Sequence, residues 1–188
     1  MPVWLRLVLP LAAILVYSRP VLSTGPASPL LSFLLGLAVF LIWIGPDVIA
    51  PAWRHTLLFD NFLIHPLPAT PPAERSDPLF LFWRVAVLTV SVPILEELFW
   101  RGWLMRWIIN PDFQRVPLGA FAPLAFWVVA ALFASEHGPF WDVGLVTGII
   151  FNWWMVRTKN LWDCIVMHAV TNGALGAYVI VSGHWEYL

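Results

Sequence analysis

The sequence predicts an all-α protein whose helices span a membrane, on the basis of its composition and its long apolar runs. Hydrophobic residues make up 60% of the 188-residue chain and charged residues only 11%, whereas a soluble domain needs about 25% charged residues. The apolar runs approach the ~20 residues that a transmembrane helix needs. Closed barrels also cross bilayers, but the short alternating segments that predict barrel strands are not found in this sequence.

Two apolar runs predict two transmembrane helices within residues 1–50. The first covers residues 3–21 and is interrupted by Arg6 and Pro10. A signal peptide also places a charged start before an apolar core, but no clean small-x-small cleavage site follows, so we expect a retained helix. The second run, residues 30–50, contains no basic residue.

Residues 51–78 predict an extramembrane connection. Charged residues return in this stretch, together with a cluster of four prolines, Pro66, Pro68, Pro71 and Pro72. Closely spaced prolines are typical of a stiff spacer, so no folded domain is expected here.

Residues 79–188 predict a bundle of five further helices, which gives about seven in all. The five runs are 79–92, 94–109, 118–134, 143–156 and 161–181. Pro93 separates the first two of these runs, because a proline interrupts the hydrogen-bond ladder of a helix.

The distribution of basic residues predicts an orientation in the membrane. If the seven helices alternate in direction, Arg19 is alone on one side, and the other side holds Arg6, Arg54, Arg75, Arg106, Arg115, Arg157 and Lys159. The positive-inside rule makes that second side cytoplasmic. The orientation depends on a true turn at Pro93, because a mere kink would invert the later sides.

Charge and cysteine content exclude other classes of protein and site. The formal net charge of −1 excludes a nucleic-acid-binding protein, which needs a basic patch. The single cysteine, Cys164, excludes both a disulfide framework and a cysteine-based zinc site.

Ionisable side chains inside membrane helices are costly, so each one needs a partner or a function. Glu97 and Arg101 are four residues apart and therefore share a helix face, where they can form an ion pair. Glu96 points about 100° away from that face. An unpaired carboxylate in such a place can act as a base. A structural charge at a helix start is the alternative, but two adjacent glutamates favour a function.

Two histidines and an asparagine complete the polar set. His137 follows the predicted helix 118–134, where a histidine alone would indicate only an interfacial position, and Glu136 beside it is expected to be solvated. His168 and Asn172 share a face of the last helix, where hydrogen bonding between helices is the alternative function. A carboxylate and an imidazole can hold and deprotonate water, and a second imidazole and an amide can stabilise an oxyanion. Together these residues predict an intramembrane hydrolase that cleaves an amide bond.

Three motifs resemble those of the CPBP (ABI) family of intramembrane endopeptidases, which is related to the type II CAAX prenyl protease. In order along hydrophobic helices, they are Glu96-Glu97-x3-Arg101, Phe133-x3-His137 and His168-x3-Asn172. The resemblance covers about residues 79–181 and implies a CPBP-like catalytic bundle within residues 79–188.

The resemblance also implies a role for each of six residues. Glu96 is expected to be the general base that activates water, with help from His137. His168 and Asn172 are expected to form the oxyanion hole. Supporting roles are expected for Glu97 and Arg101.

The resemblance implies a glutamate-dependent mechanism without a cofactor. Zinc is the alternative, with Glu96, His137 and His168 as its ligands, although the sequence lacks a His-Glu-x-x-His helix. The expected partners are the lipid bilayer and a membrane-associated protein or peptide, and no nucleic acid. The expected location is the plasma membrane of a bacterium, as a multi-pass integral protein.

The expected activity is hydrolysis of a peptide bond near the end of a substrate that is lipidated or carries a sorting signal. Prenylated C-termini, leader peptides and sorting signals would all require the same catalytic residues, so the substrate stays open. A catalytically silent scaffold or regulator with the same fold is the alternative function. Such a protein could lose Glu96 or His168 freely, so the complete polar set favours the enzyme.

Overall fold

The computed structural model describes residues 2–64 and 70–187, without the side chain of Leu15. Residues 65–69 of the predicted connection lie outside the described residues. Within the described ranges the chain forms seven α-helices and no strand, which confirms the predicted fold class. The helices are α1 (Val3–Tyr17), α2 (Pro29–Ile49), α3 (Pro72–Arg75), α4 (Pro78–Ile109), α5 (Pro123–Ser135), α6 (Trp141–Thr158) and α7 (Leu161–Ser182).

Among the described residues, α2, α4 and α7 are long and apolar enough to cross a membrane. The helices α1 and α5 are apolar but shorter. Large apolar side chains are exposed on the outer faces, for example Leu41 on α2 and Leu124 on α5. Such exposed apolar surface is expected where lipid replaces water as the solvent. The chain is therefore an integral membrane protein.

Local sequence signals set the ends of the helices that carry polar residues. Asp77 caps α4 by accepting hydrogen bonds from the backbone N–H groups of Leu79 and Phe80, at 2.9 and 3.2 Å. Asn160 caps α7 in the same way, and Gly183, with a φ of +78°, ends it. Side-chain acceptors at helix starts and a left-handed glycine at helix ends are common capping devices.

Pro93 does not separate two helices, so the predicted turn between runs 79–92 and 94–109 is wrong. The helix α4 is continuous and contains two π-helical turns, Val87–Ser91 and Leu98–Leu104. In a π turn each N–H bonds to the carbonyl five residues earlier, so the carbonyl of Leu88 would need an N–H at position 93, which proline lacks. The side-chain amide of Asn172 on α7 donates this hydrogen bond instead, with 2.9 Å between its Nδ2 and the Leu88 oxygen.

A continuous α4 inverts the later sides of the predicted topology. One end of the bundle holds loops 18–28, 110–122 and 159–160, where the side-chain amide of Asn160 donates to the carbonyl of Gly25 at 3.0 Å. The opposite end holds residues 50–64, residues 70–77 and loop 136–140, and here Arg54 pairs with Asp142 at 2.9 Å. The predicted grouping of seven basic residues on one side is therefore wrong. The first end now carries Arg19, Arg106, Arg115, Arg157 and Lys159, against Arg6, Arg54 and Arg75 toward the opposite end.

Small residues bring together the helices that carry the polar groups. A Cβ on Gly36 would lie 2.6 Å from the carbonyl oxygen of Met167, so α2 and α7 approach closely only because this residue is glycine. Thr171 adds a hydrogen bond from its hydroxyl to the Gly36 carbonyl at 3.0 Å. On the other side of the bundle, Gly148 of α6 packs against Ala130 of α5. Close packing through small residues is typical of membrane helices.

Candidate active site

The ion pair expected from the spacing of Glu97 and Arg101 is present in the centre of the bundle. Both side chains are 0% exposed, and Nη1 of Arg101 lies 3.0 and 3.2 Å from the two Glu97 carboxylate oxygens. Nε of Arg101 donates to Oδ1 of Asn152 on α6 at 3.0 Å. The guanidinium also lies over the rings of Phe133 and Phe151, 5.0 and 5.1 Å from their centroids. Arg101 thereby ties α4 to α5 and α6.

His168 contacts the same glutamate, which the spacing of the motifs does not predict. Its Nδ1 lies 2.9 Å from Oε1 of Glu97. An ionised carboxylate only accepts hydrogen bonds, so Nδ1 of His168 carries a proton and donates a hydrogen bond to Glu97. Glu97 thus fixes the orientation of His168, whose Nε2 is left free of this bond.

His137 lies just beyond the C-terminal end of α5, with its ring fixed by a backbone contact. Nδ1 is 2.6 Å from the carbonyl oxygen of Phe133, and since a carbonyl only accepts, Nδ1 carries the proton. The edge of the ring packs against Trp43, at 5.2 Å between centroids. Burial lowers the pKa of His137 to about 4. The ring is therefore neutral at pH 7, and its Nε2 can accept a hydrogen bond.

Glu96, His137, His168 and Asn172 line one cavity of about 220 Å³. A water molecule takes about 30 Å³ of liquid volume, so there is room for a water molecule beside a small organic group. Oε2 of Glu96 is buried and has no hydrogen-bond partner within the part of the chain that the structure describes. The four residues that the sequence singles out for the chemistry therefore share one space.

A family model described as type II CAAX prenyl endopeptidase Rce1-like matches residues 78–174, more than half of the chain. The chain belongs to this family. The match begins with α4 and ends within α7, so it contains all seven residues of the three motifs. Membership supports a CAAX-protease-type function within the membrane. No curated protein and no solved structure matches the chain.

Two polar residues near the site of this family member were not singled out from the sequence, and a third, Glu136, was expected only to be solvated. Glu136 lines the cavity, and so does Thr147, whose buried hydroxyl has no partner among the described residues. Asn152 connects Arg101 to the Phe126 carbonyl through a second hydrogen bond of 2.8 Å. Thr147 and Asn152 were detectable as polar residues in an otherwise apolar run, whereas the position of Glu136 depends on the turn after α5.

Glu136 is partly exposed and faces the Glu96 carboxylate. Partial burial, and after it the negative charge of Glu96, raise the pKa of Glu136 to about 7. The Glu136 carboxyl therefore keeps its proton to a higher pH than a glutamate with an ordinary pKa near 4.3.

The zinc alternative can be compared with the arrangement of possible ligands. Across residues 2–64 and 70–187, no group of three or more His, Cys, Asp or Glu side chains is placed to hold a metal ion. Glu96, His137 and His168 line the same cavity but do not form such a group. No catalytic step is therefore assigned to a metal.

A second cavity of about 540 Å³ adjoins the first at the end of the bundle that carries residues 50–64. The two cavities share Phe140, Glu186 and Tyr187 as lining residues. The hydroxyl of Tyr187 donates a short hydrogen bond to Asp47. Burial and this bond raise the pKa of Tyr187, so its hydroxyl stays protonated and keeps the C-terminal turn attached to α2.

Proposed function

We propose that the chain is an intramembrane endopeptidase that hydrolyses a peptide bond near the end of a membrane-associated substrate with a water molecule activated by Glu96 and His137. One observation carries the proposal: the four polar side chains share a cavity in which Oε2 of Glu96 is buried without a partner among the described residues. A buried acceptor without a hydrogen bond costs about 1–3 kcal/mol. A water molecule held between Glu96 and His137 would remove that cost.

The two groups divide the activation of water between them. Nε2 of His137 accepts one O–H of the water, because its Nδ1 proton is already committed to Phe133. Glu96 accepts the other O–H and takes the proton as the water oxygen attacks the scissile carbonyl carbon. General-base catalysis of this kind contributes about 10²–10⁴-fold to a rate.

His168 and Asn172 stabilise the negatively charged oxygen that forms in this attack. One N–H of the Asn172 amide bonds to Leu88, and the second N–H is available to the oxyanion. Nε2 of His168 can donate only when the ring carries both protons, because Nδ1–H already binds Glu97. Each donor to an oxyanion is worth about 10²–10³-fold in kcat.

The proposed substrate is a membrane-associated protein or peptide that carries a lipidated end or a sorting signal. The mouth of the site lies at the end of the bundle with loop 136–140. Five basic residues in or next to the shorter loops of the opposite end favour a cytoplasmic position for that opposite end. We therefore expect the site to open on the non-cytoplasmic side of a bacterial plasma membrane.

The test uses purified protein in liposomes with two fluorogenic probes. One is a farnesylated peptide ending in Cys-aliphatic-aliphatic-X, and the other is a hydrophobic single-span peptide with a polar tail. We expect Glu96→Gln to abolish cleavage while the protein still accumulates in the membrane. Glu74→Gln is the matched control, since Glu74 lies on α3 away from the cavity.

Three results would decide between the alternatives. Full activity of Glu96→Gln would refute the mechanism, and no cleavage of either probe by the wild type would favour the silent scaffold. Turnover that is unchanged by a zinc chelator would support the metal-free mechanism, and turnover that is lost and then restored by zinc would contradict it.

A further inference from the structure

Glu136 is a second carboxyl group in the cavity, and it lies outside the three motifs. It immediately precedes His137 in the chain, and its side chain lines the same 220 Å³ space as Glu96. The buried side chain of Trp100 on α4 lies near both carboxyl groups. The two carboxyls therefore reach one cavity from different elements, Glu96 from α4 and Glu136 from the turn after α5.

Hydrolysis of an amide needs an acid as well as a base, because an amine leaves only after its nitrogen is protonated. Neither histidine is well placed for this task. His137 is neutral and commits its proton to the Phe133 carbonyl, and His168 commits its Nδ1 proton to Glu97. Glu136 is the remaining acid that faces the cavity from its α5 side.

We propose that Glu136 is the general acid of the reaction and protonates the leaving nitrogen. This proposal rests on the proposed function. It adds a catalytic residue from outside the motifs by which the chain resembles its family.

The proton transfers balance over one turnover. Glu96 receives a proton from water as the C–O bond forms, and the Glu136 carboxylic acid then gives its proton to the nitrogen as the C–N bond breaks. The reaction leaves Glu96 protonated and Glu136 ionised. Transfer of the proton from Glu96 to Glu136, within the cavity that both side chains line, restores the starting state without any other reactant.

The charges around Glu136 come from several elements of the bundle. Those that act on it are Glu96 and Arg101 of α4 and His168 of α7, and the C-terminal turn adds Glu186 to the same cavity. The Glu96 carboxylate is the largest of the charge effects and favours the protonated form of Glu136. Burial and, after it, the charge of Glu96 raise the pKa of Glu136, which keeps an acid available opposite the base.

The first experiment needs no substrate. Infrared difference spectra of the protein in liposomes follow the carbonyl band of protonated carboxyl groups as the pH is raised. We expect a band that disappears with a midpoint near pH 7, that is absent in Glu136→Gln, and that shifts to lower pH in Glu96→Gln, because the charge that favours protonation is gone. An unchanged band in Glu136→Gln would overturn the proposal.

The second experiment compares two bonds at the cleavage site. The probe peptide that the wild type cleaves is made as an amide and as an ester, whose alkoxide needs much less help to leave. Wild-type cleavage of the amide should fall above pH 7 as Glu136 loses its proton. We expect Glu136→Gln to remove this fall, to lower kcat about 100-fold or more for the amide, and to lower it much less for the ester. Glu136→Asp should keep that fall at a reduced rate, and Ser135→Ala is the neighbouring control.

The outcomes separate this proposal from the proposed function. Equal losses on amide and ester, or an unchanged pH profile, would refute the acid role of Glu136 while Glu96→Gln stays inactive. Failure of the wild type to cleave either probe would refute the proposed function and the acid role with it. In that case the infrared titration would still show whether the two carboxyls interact.

Discussion

Replacement of Asn172 by alanine separates two contributions of one side chain, a hydrogen bond that supports α4 and a donor that faces the cavity. The first contribution is the 2.9 Å bond to the Leu88 carbonyl, which Pro93 leaves without a backbone partner. Hydrogen bonds between membrane helices average about 0.6 kcal/mol and reach about 1.7 kcal/mol, so we expect a loss of about 1 kcal/mol in the free energy of unfolding. Loss of the oxyanion donor should lower kcat by about 10²–10³-fold.

A second substitution, Pro93→Ala, distinguishes the two contributions. It returns a backbone N–H to position 93, where the π-helical pattern places it opposite the Leu88 carbonyl. The stability lost through Asn172→Ala should therefore be smaller in the Pro93→Ala background than in the wild type. The loss of activity should be the same in both backgrounds, because a backbone N–H in α4 does not replace an amide in the cavity.

The assay is a double-mutant cycle, in which coupling energy measures the interaction of the two sites. Unfolding in mixed micelles with increasing denaturing detergent gives the four stabilities, and cleavage of the probe peptide gives the four kcat values. If the activity loss also shrinks in the Pro93→Ala background, Asn172 acts only by supporting α4. If the stability loss is equal in both backgrounds, the explanation given for Pro93 is wrong.

Three further predictions concern packing, charge and orientation. Arg101→Met should lower the free energy of unfolding by about 3–5 kcal/mol, because it leaves Glu97 as a buried unpaired charge. Adding Glu97→Gln should recover part of that loss in the same unfolding assay. A loss below about 1 kcal/mol for Arg101→Met would contradict the buried ion pair. Gly36→Ala should lower the free energy of unfolding by about 1–3 kcal/mol, because the added methyl group overpacks against Met167. The loss should appear as a lower midpoint of thermal unfolding, and an unchanged midpoint would contradict the close approach of α2 and α7. In intact cells, a thiol reagent that does not cross the membrane should label His184→Cys but not Arg115→Cys. The reverse labelling pattern would refute the proposed orientation. The native Cys164 is buried and should not react.

The sequence was informative wherever a single helix determines the outcome. Composition and the length of the apolar runs predicted the all-helical membrane fold. The spacing of four residues predicted the contact between Glu97 and Arg101, because that contact follows from the geometry of one helix. The same spacing placed His168 and Asn172 on one face of α7. Local periodicity was therefore enough to identify these side chains as candidates.

The features that were missed depend on contacts between distant segments. Proline breaks a helix unless another group takes over the lost hydrogen bond, and at Pro93 that group is Asn172, 79 residues further along the chain. The bond from His168 to Glu97 spans 71 residues, and the position of Glu136 depends on the turn that follows α5. No pattern within a short window of sequence contains this information.

The second cavity is built almost entirely from parts of the chain that the family match does not include. All of its lining residues except Pro139 and Phe140 lie outside residues 78–174. The walls of the second cavity are thus encoded separately from Glu96, His137, His168 and Asn172, which line the first cavity. Substitutions in residues 50–64 or in the C-terminal turn can therefore change the shape of the second cavity without altering the four polar side chains of the first.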